Sequence, residues 1–129
     1  MGRQLSVVTA GLILLLTGGP VLAHHASAAE FDGNKPVTLE GAITRVEWVN
    51  PHAWIHIEVK SPDGTVVEWK IEGGSPNVLL RRGFTKASLQ PGTMILVEGF
   101  LAKDGTAKAN GRQVTLADGK KLFFNEPLK

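Results

Sequence analysis

Ala53 to Glu72 reads AWIHIEVKSPDGTVVEWKIE, and the alternation in it decides the fold. Ala53, Ile55, Ile57 and Val59 share one side of an extended chain, while His52, Trp54, His56, Glu58 and Lys60 share the other, because successive strand side chains point to opposite faces. Ser61-Pro62-Asp63-Gly64 then supplies a turn whose glycine is free to take positive φ. In the second half Val67, Trp69 and Ile71 form the apolar side, opposed by Val66, Glu68 and Lys70. The consequence is an antiparallel hairpin with one buried face.

Upstream of this hairpin, Val37 to Val49 is rich in β-branched residues and reads as a long first strand. Gly41 marks a bend or bulge in it, which would switch the buried face between Ile43 and Val46. Downstream, Ser75 is placed as an N-cap and Pro76 as the first helical residue, with Arg81 and Arg82 in the last turn and Gly83 as terminator. One short helix follows from that pattern. Thr85 to Gly92 is a connector that turns at Ser88 to Pro91, and Thr93 to Ala102 is a fourth strand. Lys103-Asp104-Gly105 and Asn110-Gly111 bracket a polar loop, and Arg112 to Leu116 and Lys121 to Phe124 are strands about Asp118-Gly119.

Three strands, a helix, then further strands is the order of an OB-like Greek-key β-barrel, all-β with one helix between strands 3 and 4, of about five to six strands. A bent first strand suits closure, since it can serve both halves of the sheet. An open β-sandwich of similar strand count is the competing architecture, and no sandwich marker is present.

The first residues read as a leader. Arg3 gives the positive charge, Leu5 to Leu16 an apolar run, Thr17-Gly18-Gly19-Pro20 a helix break, and Val21-Leu22-Ala23 a small-residue cleavage site. The apolar run is about a dozen residues, short of the roughly 20 that span a bilayer. The expected organisation is a signal peptide over 1–23, an extended arm over 24–36 and the barrel domain over 37–129, giving a periplasmic or secreted monomer with no membrane attachment after cleavage. A cut after Ala28 is the alternative, and it would discard His24 and His25.

With 14 Lys and Arg against 12 Asp and Glu, the net charge is +2. That balance argues against a nucleic-acid partner held by electrostatics, which would call for basic charge concentrated on one face. The chain has no cysteine, so disulfides, thiolate metal sites and cysteine nucleophiles are excluded too, and stability must come from an apolar core.

The four histidines fall into two groups, His24-His25 and His52 with His56. On a regular strand His52 and His56 are separated by ~13 Å, too far to share one ion. The candidate metal set therefore combines His24 and His25 with His52 or His56, brought together by an arm of thirteen residues that can reach ~40 Å. Neutral imidazoles suit Cu or Zn, and an amine-plus-imidazole chelate at His24 suits Cu(II). Against this stands the plain reading: His52 bonds a backbone carbonyl, His56 is an exposed strand residue and His24-His25 a loose terminus.

Trp54, on the polar face, suggests a ligand groove near Trp48, Trp54 and His56, because exposed aromatics on OB barrels serve as stacking platforms. Trp69 reads as core. Catalysis finds little support. Glu47, Glu58 or Glu68 could partner His56, but no motif sets a hydroxyl beside them, and Ser75 lacks the flanks of a nucleophile elbow.

His24-His25-Ala26 with Glu30-Phe31-Asp32, then Glu47-Trp48-Val49-Asn50-Pro51-His52-Ala53-Trp54, then Glu72-Gly73-Gly74-Ser75-Pro76-Asn77 followed by Arg81-Arg82-Gly83, together resemble an uncharacterised bacterial family of small exported proteins. The resemblance covers nearly all of the chain beyond the leader. It implies an exported OB-like domain with no assigned catalytic residues. The chain departs from it at Ala26-Ser27-Ala28, where a serine followed by an aromatic is expected. The functional expectation is a non-enzymatic exported binding or interaction module, for an unspecified small ligand or protein partner and with no certain cofactor. A periplasmic copper or zinc binding protein is the alternative, and a small hydrolase is third.

Overall fold

A computed structural model describes residues 27–125. The expected leader and His24-His25 lie outside the described residues. Six strands form one sheet: β1 (Phe31–Glu47), β2 (Trp54–Lys60), β3 (Val66–Glu72), β4 (Met94–Ala102), β5 (Lys108–Thr115) and β6 (Lys121–Phe123). Between β3 and β4 lie helix α1 (Pro76–Arg81) and a 3-10 turn (Ala87–Leu89). Among the described residues, no helix is long and apolar enough to cross a membrane.

The hydrogen-bonded order is β3-β2-β1-β4-β5-β6, and β3 also pairs with β5 in parallel, which closes β1 to β5 into a ring. All other pairings are antiparallel. A ring of this connectivity with its helix between β3 and β4 is the OB-like arrangement expected from the order of elements.

The hairpin is the one its sequence implies. Ser61 and Thr65 close the turn, Gly64 takes φ +89°, and Trp54 pairs with Glu72, His56 with Lys70 and Glu58 with Glu68. Ile55, Ile57 and Ile71 are fully buried, whereas Val67 near the turn stays exposed because the hairpin tip extends past the core. In α1 the Ser75 side chain accepts from Val78 N, Pro76 opens the helix, and Gly83 at φ +100° follows it.

β1 holds the ring together by pairing with β2 through its second half and with β4 through its first. Its pairing with β2 slips between Ile43 and Arg45, three residues after Gly41. Leu39 and Ile43 face the core before the slip and Val46 and Trp48 pack against it after, so the face switches in the interval expected. Gly41 has a different duty: a Cβ there would lie 2.4 Å from the Glu58 carbonyl oxygen, so the glycine lets β1 and β2 approach at the bend.

Two segments differ from their sequence reading. Phe31 to Pro36, expected in the extended arm, is the first part of β1, and Phe31 is buried opposite Ala102. An aromatic side chain with an apolar strand beside it gains more by pairing than by staying solvated. Asn110-Gly111, expected in a loop, lies inside β5, where both residues are buried. Gly99 and Gly111 are register partners at a bulge, and a Cβ on Gly99 would strike the Asn110 carbonyl oxygen. Glycine here serves backbone approach, which the Asn-Gly turn signature hides.

The core is built from inward residues of the ring, including Ile43, Ile55, Ile57, Ile71, Val97 and Val114. One end is closed by Phe84 and Phe124, whose rings meet edge to face at 5.5 Å. Phe124 fits because a Cβ on Gly73 or Gly111 would collide with its ring.

Candidate functional site

The outward face of β2, β3 and β5 carries the chain's polar chemistry in register. His56, Lys70 and Lys108 are consecutive partners across the three strands, and so are Trp54, Glu72 and Asn110. In the first row Lys70 and Lys108 are half-buried and His56 is buried; in the second Trp54 is half-buried, while Glu72 is 2% exposed and Asn110 is fully buried.

What covers Glu72 is the start of the described chain. Residues 27–30 are helical, and Ser27 Oγ donates to Glu72 Oε1 at 2.6 Å. Lys103 holds this turn in place through Nζ to the Ala28 carbonyl and its backbone N–H to the Glu30 carbonyl. Lys108 Nζ reaches Glu30 Oε1 at 2.6 Å, which raises the pKa of the ammonium above its ordinary value.

Glu72 Oε1 is the hub of this cluster. It accepts from Ser27 Oγ and from Asn110 Nδ2 at 3.2 Å, and His52 Nδ1 stands 3.6 Å away. The His52 approach is too long for a hydrogen bond. His52 lies just before β2, after a cis Asn50–Pro51 peptide, and Ala53 next to it exchanges backbone hydrogen bonds with Gly73 and Gly74. That anchoring sets the His52 ring beside the end of β3. At the other end of the Asn110 amide, Oδ1 is buried with no hydrogen-bond partner among the described residues.

Hydroxyl, carboxylate and imidazole thus meet at one point, but in an order unsuited to nucleophilic catalysis. A triad needs the imidazole between hydroxyl and carboxylate, so that it can take the hydroxyl proton. Here Glu72 stands between Ser27 and His52. Its chemistry is that of an anchored anion with a buried amide oxygen beside it, which suits holding a ligand.

The neighbouring cluster centres on His56, 3% exposed. Nε2 lies 2.7 Å from Glu47 Oε2 and Nδ1 3.3 Å from Glu68 Oε1. Lys70 Nζ at 3.7 Å and Arg45 at 3.4 Å complete the environment of Glu47. The Glu47 carboxyl is held below the ordinary carboxylate range, chiefly by its hydrogen bond with His56 and further by Lys70 and Arg45. Lys70 Nζ also sits 4.4 Å from the Trp54 ring centroid, with Lys108 Nζ at 5.8 Å. The indole therefore has two ammonium groups within cation–π reach of its ring.

Of the expected ligand residues, Trp54 and His56 share this face, while Trp48 packs against the core. His52 and His56 engage different carboxylates. Among the described residues, no three His, Cys, Asp or Glu side chains form a group that could hold a metal ion, and His24 and His25 lie outside those residues. Ser27, Glu72 and Asn110 are the site residues that the sequence reading missed. For Glu72 a signal exists, because counting back from the turn sets it directly across from Trp54 on the polar face.

The same face continues past Glu58 and Lys60 to a cleft of about 450 Å³ lined by Glu40, Gly41, Ala42, Val66 and Met94 as well. It holds no buried polar side chain, and its apolar walls are the exposed Val66 and Met94.

These features define a small OB-like β-ring with a buried polar cluster at the end of β3, to which Ser27 is hydrogen-bonded. Residues 12–112 match the model of a family of unknown function, DUF6152, and the chain belongs to that family. No curated protein matches it.

Proposed function

We propose that this protein is an exported, non-enzymatic binding module whose ligand is taken on the outward face of β2, β3 and β5, between Trp54 and the Glu72–Asn110 pair. The observation that carries this reading is the buried polar row itself. A fold of this size gains nothing from enclosing a carboxylate and an amide, since burying an unsatisfied polar group costs about 1–3 kcal/mol. The Asn110 Oδ1 orphan keeps that cost in place. A ligand that donates to Oδ1 while stacking on Trp54 would remove it.

Several features support the reading. Trp54 offers a ring face framed by Lys70 and Lys108, the combination that recognises flat or anionic groups beside a carboxylate that recognises donors. The leader Leu5 to Leu16 supports export. The central position of Glu72 in its cluster supports binding over reaction.

The test is tryptophan emission across a panel of amino acids, short peptides, sugars and divalent cations, in the wild type and in Trp54→Phe. At least one class should change the wild-type emission with saturation, and that change should vanish in Trp54→Phe. A ligand response that survives intact in Trp54→Phe would refute the placement, and so would silence across all classes.

A further inference from the structure

We propose that Arg112, lying against Phe100 on the outward side of β4 and β5, forms a second binding site, one that takes a carboxylate carried on an apolar body. It is separate from the Trp54 face and does not depend on it.

An uncompensated charge is the first observation. Arg112 is half-buried, its Nε is enclosed with no hydrogen-bond partner, and its side chain makes no ion pair among the described residues. Its Cζ lies 5.8 Å from the centroid of the Phe100 ring. The half-buried ammoniums of Lys70 and Lys108 differ from it, since Glu47 and Glu30 stand 3.7 and 2.6 Å from them. Drawing a cation partly out of water without an anion is unfavourable. A planar guanidinium is matched by a carboxylate through two parallel hydrogen bonds. With Nε enclosed, those bonds fall to Nη1 and Nη2.

The second observation is the backbone that presents this side chain. β4 and β5 pair as Glu98 with Gln113 and then as Gly99 with Gly111, so Arg112 is an extra residue on β5. A bulge of this kind re-aims a side chain. Phe124 N fixes it by donating to the Arg112 carbonyl at 2.8 Å, and Gly99 permits it, since a Cβ there would strike the Asn110 carbonyl oxygen. A regular ladder would need neither the glycine nor the extra residue.

The surroundings of Arg112 define the ligand. Ile95, Val97 and Val114 belong to the core, so by alternation Glu98, Phe100 and Gln113 face outward. Glu98, Gln113 and Phe123 are consecutive register partners beside the bulge, and Phe123 is 65% exposed. That ring offers an apolar surface for the body of the ligand. Glu98 brings a negative charge to the same row, which disfavours a dianion such as phosphate and leaves a monocarboxylate. A free organic acid and the C-terminal end of a peptide share this chemistry.

The experiment is a titration of the protein with benzoate, N-acetylphenylalanine, benzamide and inorganic phosphate. It is followed by NMR on the backbone amides of Arg112 and Gln113 and on the Arg112 Nε–H, in the wild type, Arg112→Gln, Arg112→Lys and Trp54→Phe. Circular dichroism checks that each variant folds. The expected result is a saturable shift with benzoate or N-acetylphenylalanine and none with benzamide. Affinity should fall about 10-fold or more in Arg112→Gln and in Arg112→Lys, which keeps the charge but lacks the fork, and should persist in Trp54→Phe. Tighter binding of N-acetylphenylalanine supports the site with a peptide end as its source, and tighter binding of benzoate supports it with a free acid. Four results overturn the assignment: no saturable shift with either carboxylate, benzamide or phosphate binding as tightly as benzoate, affinity unchanged in Arg112→Gln, or affinity lost in Trp54→Phe. Should Arg112→Gln fail to fold, unchanged affinity in Arg112→Lys overturns it equally.

Discussion

Ser27 Oγ and Glu72 Oε1, separated by 45 positions in sequence, are joined by a 2.6 Å hydrogen bond that pins the start of the described chain over the end of β3. The serine is 7% exposed, and its partner is a buried carboxylate, so the bond is charge-assisted and shielded from water. Ser27→Ala should lower the unfolding free energy by about 1–3 kcal/mol. Amide exchange from Phe31 to Pro36 should quicken at the same time, because that stretch follows the released turn. Urea denaturation and hydrogen-exchange mass spectrometry measure the two effects, and an unchanged exchange pattern would show that Lys103 and Lys108 suffice to hold the turn.

Removing the hub itself should cost more than removing one spoke. Glu72→Ala strands the buried Asn110 amide and the Ser27 hydroxyl together, and an unmet buried donor costs about 1–3 kcal/mol. Glu72→Gln retains an acceptor and should cost less. Thermal unfolding of the two variants side by side checks the order, and equal losses would mean that the charge, and not the acceptor, holds the cluster.

Next to Glu72 in the chain, a methyl on Gly73 would collide with Phe124 Cζ. Gly73→Ala should destabilise by about 1–3 kcal/mol through overpacking. Phe124→Leu in the same chain should return part of that loss, with an interaction term of at least about 0.5 kcal/mol in a double-mutant cycle. Strict additivity would mean that the backbone, and not the ring, absorbs the methyl.

Glu47 brings a pH dependence whose sign follows from its lowered pKa. A carboxyl that is more acidic folded than unfolded stabilises the protein fully above the ordinary value of 4.5, and the gain is lost as pH falls through the lower folded value. Glu47→Gln should therefore flatten the acid limb of stability below about pH 4.5 and leave its shape near neutrality unchanged. Urea midpoints across that window measure it, and an identical acid limb would assign the loss to another group.

The hairpin, the helix and their caps were legible in sequence, because each depends on neighbours in the chain: the alternation from Ala53 to Lys60, the Asp63-Gly64 turn, and Ser75-Pro76 before Gly83. The ring order followed from the position of the helix. The site was only half legible. Trp54 and His56 could be put on one face by parity, and the face switch in β1 sent Trp48 the other way. Glu72, Asn110 and Ser27 meet through contacts 38 and 45 positions long, which no local pattern encodes. Asn110-Gly111 misled because the same dipeptide that makes a turn also permits the close passage of Gly99. Phe31 lies in a stretch whose sequence reads as an arm for a related reason: its partner Ala102 lies on β4, remote in sequence.

The most direct measurement of the central claim, that the ligand sits between Trp54 and the Glu72–Asn110 pair, is an amide-resolved NMR titration with whichever panel member binds. The expected result is that the Asn110 side-chain NH2 pair and the Trp54 indole N–H shift most and saturate together, with Glu72 following. Shifts that leave both unmoved and gather instead around Val66 and Met94, at the cleft on the same face, would contradict it.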